Sequence, residues 1–443
     1  MRKTRKVALF KKLASVLIVS FIFTGIMAQK ESEGNNASII DTLQDGIVFR
    51  TANIYRASSN FDYCRFAAYI PDSQKIRVVL VHQHGCGRGF QGDKTPYDMQ
   101  YQAFANKWGV AIVSPSYFDK KNCFEWIDPG TGSEDAFIAG IDSLAKLSNH
   151  TELKTAPWIL WGHSGGGHWV LSMINKQPER IIAAFCVSAA FDPAFNYSSL
   201  AAKIPVMLRH GGKGDYNNEG ANCWQTANHH FKKLRSMNGC VSIVPTPDSD
   251  HGVGSSRYLA LPFFDAILST RFLDDNTAVH DSIANSKAWV GDTLTNMVYK
   301  LSEYKGNPLL LSWLPDSVTA YNWKEFTSTA TVRPSRVLPV PGNLKARKVN
   351  GTTVDLSWNA TASIESGIAY FNIYKNGLYI GRFPESGIIQ PFGYGDEPIE
   401  TKLPPNNFRV TGLAAHKKYA FNIAAINSIG TESVSETIIY KCN

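Results

Sequence analysis

From residue 76 to residue 272, short apolar runs alternate with helical stretches of ten or more residues; beyond residue 342 that alternation stops. Residues 76–82, 110–114, 158–162, 181–190, 204–209 and 241–244 read as strands. Residues 96–108, 133–147, the stretch ending near Asn175, 221–237 and 258–272 read as helices. Strands joined by helices of that length imply a mostly parallel sheet covered on both faces, an α/β arrangement. Residues 47–58 and 61–70 look like an antiparallel hairpin leading into it.

Past the last of these helices the pattern weakens. Residues 275–336 carry helical signals at 292–304 and 323–326, and are expected to pack on the first domain as an extension. Residues 333–342 hold three prolines and read as an extended linker. Strands alone follow, at 352–358, 369–374, 378–383 and 418–425, with a tryptophan in an early one. About 100 residues of this kind imply an all-β sandwich. The expected organisation is therefore a leader at 1–28, an α/β domain at 29–275, an extension and linker at 276–336, and a sandwich at 337–443.

The leader is read from charge and hydropathy together. Arg2, Lys3, Arg5, Lys6, Lys11 and Lys12 precede the apolar run 13–28, which ends in Ala28. A basic start, an apolar stretch and a small terminal residue describe a secretory signal peptide, with cleavage expected after Ala28. The run is just short of a bilayer span, so a secreted or periplasmic protein with no stable membrane span is expected. Those six cations, with no acid among them, account for most of the formal +8, so residues 29–443 carry only +2. That balance leaves no general footprint for a nucleic-acid partner.

An exported chain can keep disulfides, and there are seven cysteines. Cys86 and Cys123 both follow predicted strands and could pair. Cys223 and Cys240 are excluded as partners if 221–237 is one helix, because 17 residues of helix span roughly 25 Å and bridged Cα atoms lie within ~7 Å. Cys186 falls inside an apolar strand and reads as a buried thiol.

Chemistry concentrates in the string Trp158-Ile-Leu-Trp-Gly-His-Ser-Gly-Gly-Gly-His168. It is a G-x-S-x-G pentapeptide set between a predicted strand and a predicted helix. The glycines let a crowded strand-to-helix turn close, which projects the Ser164 hydroxyl away from the sheet, while the helix start aims its free N–H groups at the reaction centre. This arrangement resembles the α/β-hydrolase superfamily over roughly residues 45–275, with Ser164 at the nucleophile position. The resemblance implies the order nucleophile, acid, histidine. Asp215, in the Gly-rich turn after strand 204–209, is the expected acid; one residue more than the related His-Gly-x-x-Asp turn precedes it, and Glu219 and Asp192 are alternatives. His251, in a Gly-containing loop before the last helix, is the expected base. It would take the serine proton while the acid fixes its tautomer.

The resemblance also implies an oxyanion hole from the N–H of Gly165 and one from the His84-Gly85-Cys86-Gly87 turn, with Cys86 favoured over Gly87. That turn resembles secreted feruloyl and acetylxylan esterases and polyhydroxyalkanoate depolymerases. No cofactor and no metal are implied. His82 and His84 would share a strand face, and His229 and His230 would lie on an exposed helix, but neither pair has a third ligand at useful spacing. Phe124, Trp126 and Trp224 are the expected substrate-binding aromatics; Trp161 and Trp169 read as core.

Residues 338–441 resemble a fibronectin type III domain, an immunoglobulin-like sandwich. Pro341, Leu344 and Trp358 fit its opening strands, and Leu413 six residues before Tyr419 fits its tyrosine corner. Together the resemblances imply a secreted serine esterase acting on an ester substrate linked to plant cell-wall polysaccharide. A polyester depolymerase, a serine peptidase and a non-catalytic carbohydrate-binding protein are the alternatives.

Overall fold

The computed structural model describes residues 36–442 apart from 57–59, 73, 87–90, 119–124, 190, 217–221, 248, 273–284, 333–337, 393–398 and 400–404. The leader, Cys123, Phe124, Gly87 and Glu219 therefore lie outside the described residues.

Nine strands form the central sheet: β1 (Ser38–Thr42), β2 (Gly46–Arg50), β3 (Tyr63–Pro71), β4 (Val78–Gln83), β5 (Val110–Phe118), β6 (Trp158–His163), β7 (Ile181–Val187), β8 (Val206–His210) and β9 (Val241–Pro245). Their spatial order is β1-β2-β3-β5-β4-β6-β7-β8-β9. The first three pair antiparallel, β3 meets β5 antiparallel, and β4 to β9 run parallel. Successive side chains of a strand face opposite ways, and both ways are apolar here. Val79, Val81 and Leu160 join one buried cluster, whereas Val78, Leu80 and Trp161 join the other.

Helices α1 (Met99–Trp108) and α5 (Arg257–Arg271) cover one face through Phe104, Leu259 and Phe263. Helices α2 (Ser133–Ser148), α3 (Gly165–Lys176) and α4 (Cys223–Ser236) cover the other through Phe137, Trp169 and Leu234. The fold is α/β: a mostly parallel sheet sheathed on both sides by helices.

Residues 285–332 extend the α1–α5 layer. They hold β10 (Trp289–Asp292), β11 (Met297–Lys300), β12 (Ser312–Leu314) and α6 (Ser317–Thr329). The helix expected at 292–304 is not there: β10 and β11 are an antiparallel hairpin. Asp292 Oδ1 accepts from Leu294 N–H at 2.8 Å and Asn296 takes φ 54°. An Asx turn of this kind uses the same acidic residue that would otherwise start a helix, so the sequence signal points both ways. Trp323 of α6 is fully buried and its Nε1–H donates to Ile243 O of β9 at 2.9 Å.

The last eight strands make two sheets. β13 (Gly342–Asn350), β14 (Thr353–Asn359) and β17 (Asn407–Val410) form one. β15 (Tyr370–Lys375), β16 (Leu378–Phe383), β18 (Lys418–Ile426), β19 (Glu432–Val434) and β20 (Ile438–Lys441) form the other. Trp358, Phe371, Leu413 and Phe421 fill the space between them. Tyr419 Oη accepts from Ala414 N–H at 2.7 Å, the hydrogen bond of a tyrosine corner.

Candidate active site

The turn from β6 to α3 lies at the sheet's carboxyl edge. Ser164 sits there at φ 53° and ψ −119°, a conformation that strains a residue with a Cβ. Its N–H donates to Val187 O at 2.8 Å, which ties the turn to β7. A Cβ at position 162 would stand 2.4 Å from Gly166 O, and one at position 166 would stand 2.4 Å from both Gln83 O and His84 O. The two glycines of the pentapeptide are thus required by backbone packing.

Residues far apart in sequence converge on the serine. Ser164 Oγ lies 2.8 Å from His251 Nε2, and His251 Nδ1 lies 2.8 Å from Asp215 Oδ1. A carboxylate only accepts, so Nδ1 carries the proton and Nε2 is free to accept from the serine hydroxyl. Asp215 is fully buried, His251 and Ser164 only partly so. Burial pushes the Asp215 carboxyl pKa up, but hydrogen bonds from His251, from Gly211 N–H at 2.9 Å and from Ser188 outweigh it. The net result is a carboxyl held below its ordinary range, and therefore ionised. The alternative acid Asp192 is exposed and its Oδ1 accepts from Ala194 N–H.

Supporting residues that the sequence does not announce complete the arrangement. His163, beside the serine, is buried, and its Nε2–H donates to His251 O at 2.8 Å. Burial, with the nearby His251, lowers its pKa to about 3, so it stays neutral and keeps one donor on that carbonyl. Arg209 is also buried; its Nη1–H donates to Gly252 O at 2.6 Å and its Nε–H to Thr246 Oγ1 at 2.9 Å, bracing both ends of the loop that carries His251. Cys223 Sγ lies 3.6 Å from His251 Nδ1.

Gly165 is the first residue of α3, so its N–H has no intrahelical acceptor. Cys86 is exposed and disulfide-bonded, and its turn abuts the Ser164 elbow where His84 O meets Gly166. Cys64, Cys186, Cys223, Cys240 and Cys442 form no disulfide. Of the expected substrate-binding aromatics, Trp224 is half-buried on the first turn of α4, next to Cys223. Trp126 is corrected: it is fully buried, stacked on Tyr117 at 5.0 Å, and offers no face to a substrate.

The histidine pairs are corrected too. His82 stacks on Trp161 at 4.0 Å while His84 packs on Trp126, which belongs to the opposite helix layer, so the two share no face. His230 is buried with Nδ1 3.0 Å from Tyr197 Oη, unlike its exposed neighbour His229. Among the described residues, Asp215, Cys223 and His251 are the grouping whose donor atoms lie close enough for a metal ion. Two of those donors are already committed to each other through the Asp215–His251 hydrogen bond.

No helix among the described residues is long and apolar enough to cross a membrane. Among curated proteins, chitinase Chi52 of Paenibacillus xylanexedens is 29% identical over 154 residues, which are 33% of this chain and 25% of the chitinase. The chain thus spans a quarter of that relative's length. Solved structures similar to it include an S-formylglutathione hydrolase from Agrobacterium tumefaciens (14% identity, 48% of this chain and 92% of that one, TM-score 0.37). A ferulic acid esterase (12%, 47% and 91%, 0.36) and Est1E from Butyrivibrio proteoclasticus (14%, 47% and 90%, 0.30) are others. At the other end of the molecule, where the sandwich and its tyrosine corner stand, residues 339–440 match the fibronectin type III domain model.

Proposed function

We propose that this chain is a secreted serine carboxylic-ester hydrolase that removes acetyl or feruloyl groups from plant cell-wall polysaccharide. One observation carries the reading: Ser164, His251 and Asp215 form an unbroken hydrogen-bonded relay, 2.8 Å at each step, with the serine on a strained strand-to-helix turn. In this reading Ser164 Oγ attacks the ester carbonyl carbon and its proton passes to His251 Nε2. The oxygen that becomes negative is held by the N–H groups of Gly165 and Cys86, a contribution of the kind that costs ~10²–10³ in rate when one donor is lost. His251 returns the proton to the departing alcohol, leaving an acyl group on Ser164. Water then repeats the sequence, losing its proton to His251, and frees the acid. Asp215 holds the imidazole tautomer and stabilises its cation throughout.

Export is supported by the basic, then apolar, first 28 residues and by the disulfide at Cys86. The polysaccharide-linked substrate is supported by the His84-Gly85-Cys86 turn, which resembles that of feruloyl and acetylxylan esterases. The test is turnover of p-nitrophenyl acetate, butyrate and octanoate, methyl ferulate and acetylated xylan by residues 29–443, beside Ser164→Ala. Hydrolysis of acetylated xylan or methyl ferulate that disappears in the variant is the expected result. A folded protein inert on every ester, or one whose variant remains active, overturns the reading.

A further inference from the structure

The start of α1 is capped from two domains at once. Asp98 Oδ1 accepts from Gln100 N–H at 2.9 Å and Tyr101 N–H at 3.1 Å, which leaves the first amide of the helix, Met99 N–H. Its acceptor is Gln390 Oε1 of the sandwich, at 2.9 Å, and the same amide group returns a hydrogen bond from Nε2 to Tyr97 O at 3.0 Å. Gln390 is buried while it does this. The other oxygen of Asp98 pairs with Arg257 Nη1 at 2.6 Å, both side chains being fully buried. Arg257 is the first residue of α5, and its guanidinium lies 3.7 Å from the ring centre of Phe392, again from the sandwich. Apolar contacts interlock in the same place. Met99 packs on the core of the sandwich, and Ile364 of the sandwich packs on the α1–α5 core.

What lies next to these two helix starts gives the junction its meaning. The chain runs from His251 to Arg257, the first residue of α5, in six residues. We infer that the fibronectin type III domain is a docked positioning element, whose Gln390 and Phe392 fix the starts of α1 and α5 and so hold the loop that carries His251. The domain is then no free spacer. A spacer needs a flexible tether and few contacts with its neighbour, whereas here the sandwich supplies a helix cap and one face of a buried ion pair. Neither residue touches the reacting atoms; each acts through Asp98 and Arg257. The catalytic consequence rests on the serine-hydrolase reading, but the mechanical one does not.

The test uses residues 29–443 carrying Gln390→Ala or Phe392→Ala, with Phe392→Tyr as the conservative variant. Amide hydrogen exchange is followed at 97–101 and 251–259, and a fluorophosphonate reports the rate of Ser164 modification without needing the right ester. Both alanine variants are expected to exchange at least about tenfold faster in these two segments only, with β14 and β18 protected as in the parent. Misplacement by about 1 Å can cost ~10²-fold in rate, so Ser164 modification is expected to slow by roughly 10- to 100-fold, and Phe392→Tyr is expected to restore both readouts. Unchanged exchange at 97–101 and 251–259, or faster exchange with unchanged modification, overturns the inference. A parent protein that ignores the fluorophosphonate sinks the hydrolase reading instead, and exchange alone then decides whether the domain holds the two helices.

Discussion

Ser164 adopts a backbone conformation that costs a non-glycine residue on the order of 1–3 kcal/mol. The strain persists because β7 holds its N–H and because Gly162 and Gly166 let three backbone segments meet at distances no Cβ would allow. These demands were legible in the pentapeptide, since they are local. Asp215 lies where the order of motifs puts a candidate acid, in the turn after β8 in which Gly212 takes φ 85°, and 2.8 Å from His251 Nδ1. His163 and Arg209 were not legible, because what they do is set by partners 88 and 43 positions away. Trp126 misled for a related reason, since a motif places a residue near a site but says nothing about whether other rings cover it. The choice of acid has a direct test. Replacing the acid of such a relay by its amide leaves the shape but favours the wrong imidazole tautomer, with a loss on the order of 10⁴ in kcat. Asp215→Asn is expected to show that loss on any ester the parent hydrolyses, while Asp192→Ala stays within about twofold. Steady-state rates for the two variants that came out the other way round would move the acid to Asp192.

At the scale of elements, α6 and the β10–β12 sheet behave as part of the first domain. Trp323 fills the space over Gly291, where a Cβ would come within 2.6 Å of its ring, and bonds to β9. The strand and helix alternation of residues 76–272 predicted the main sheet well, because strands buried on both faces leave little freedom of register or direction. The 292–304 segment failed because Asp292 begins a hairpin turn with the same side-chain hydrogen bonding that begins a helix. Only the pairing of β10 with β12 decides between them, and β12 lies some 20 residues later. Removing a fully buried tryptophan typically costs about 3–5 kcal/mol. Trp323→Ala is expected to lose that much in urea unfolding monitored across the whole chain, with ester turnover per folded molecule unchanged. A loss below about 1 kcal/mol would mean that the extension contributes little to the first domain.

For the whole molecule, the buried histidines set how it meets acid. Burial is the main cause in each case: it lowers His163 to about 3 and His210 and His230 to about 4, and pushes His82 and His84 down as well, against about 6.5 in an unfolded chain. Above pH 7 all five are neutral in both states and have no effect on the pH dependence. As pH falls through 6.5 the unfolded chain takes up their protons while the folded chain does not, so stability drops until the folded pKa values are reached. Five protons give a steepest slope approaching about 7 kcal/mol per pH unit, and a domain has only ~5–15 kcal/mol to lose. The Asp215 carboxyl, held below its ordinary range, adds in the same direction at still lower pH, where the unfolded carboxyl protonates first. Unfolding midpoints in urea at pH 7.5, 6.5, 5.5 and 4.5 are therefore expected to be flat at the top of the range and to collapse between pH 5.5 and 4.5. His230→Gln, which removes one of the five protons but keeps a polar partner for Tyr197 Oη, is expected to flatten that slope by about a fifth. A midpoint independent of pH down to 4.5, or a His230→Gln slope equal to that of the parent, would show that these imidazoles take up protons in the folded chain as readily as in the unfolded one.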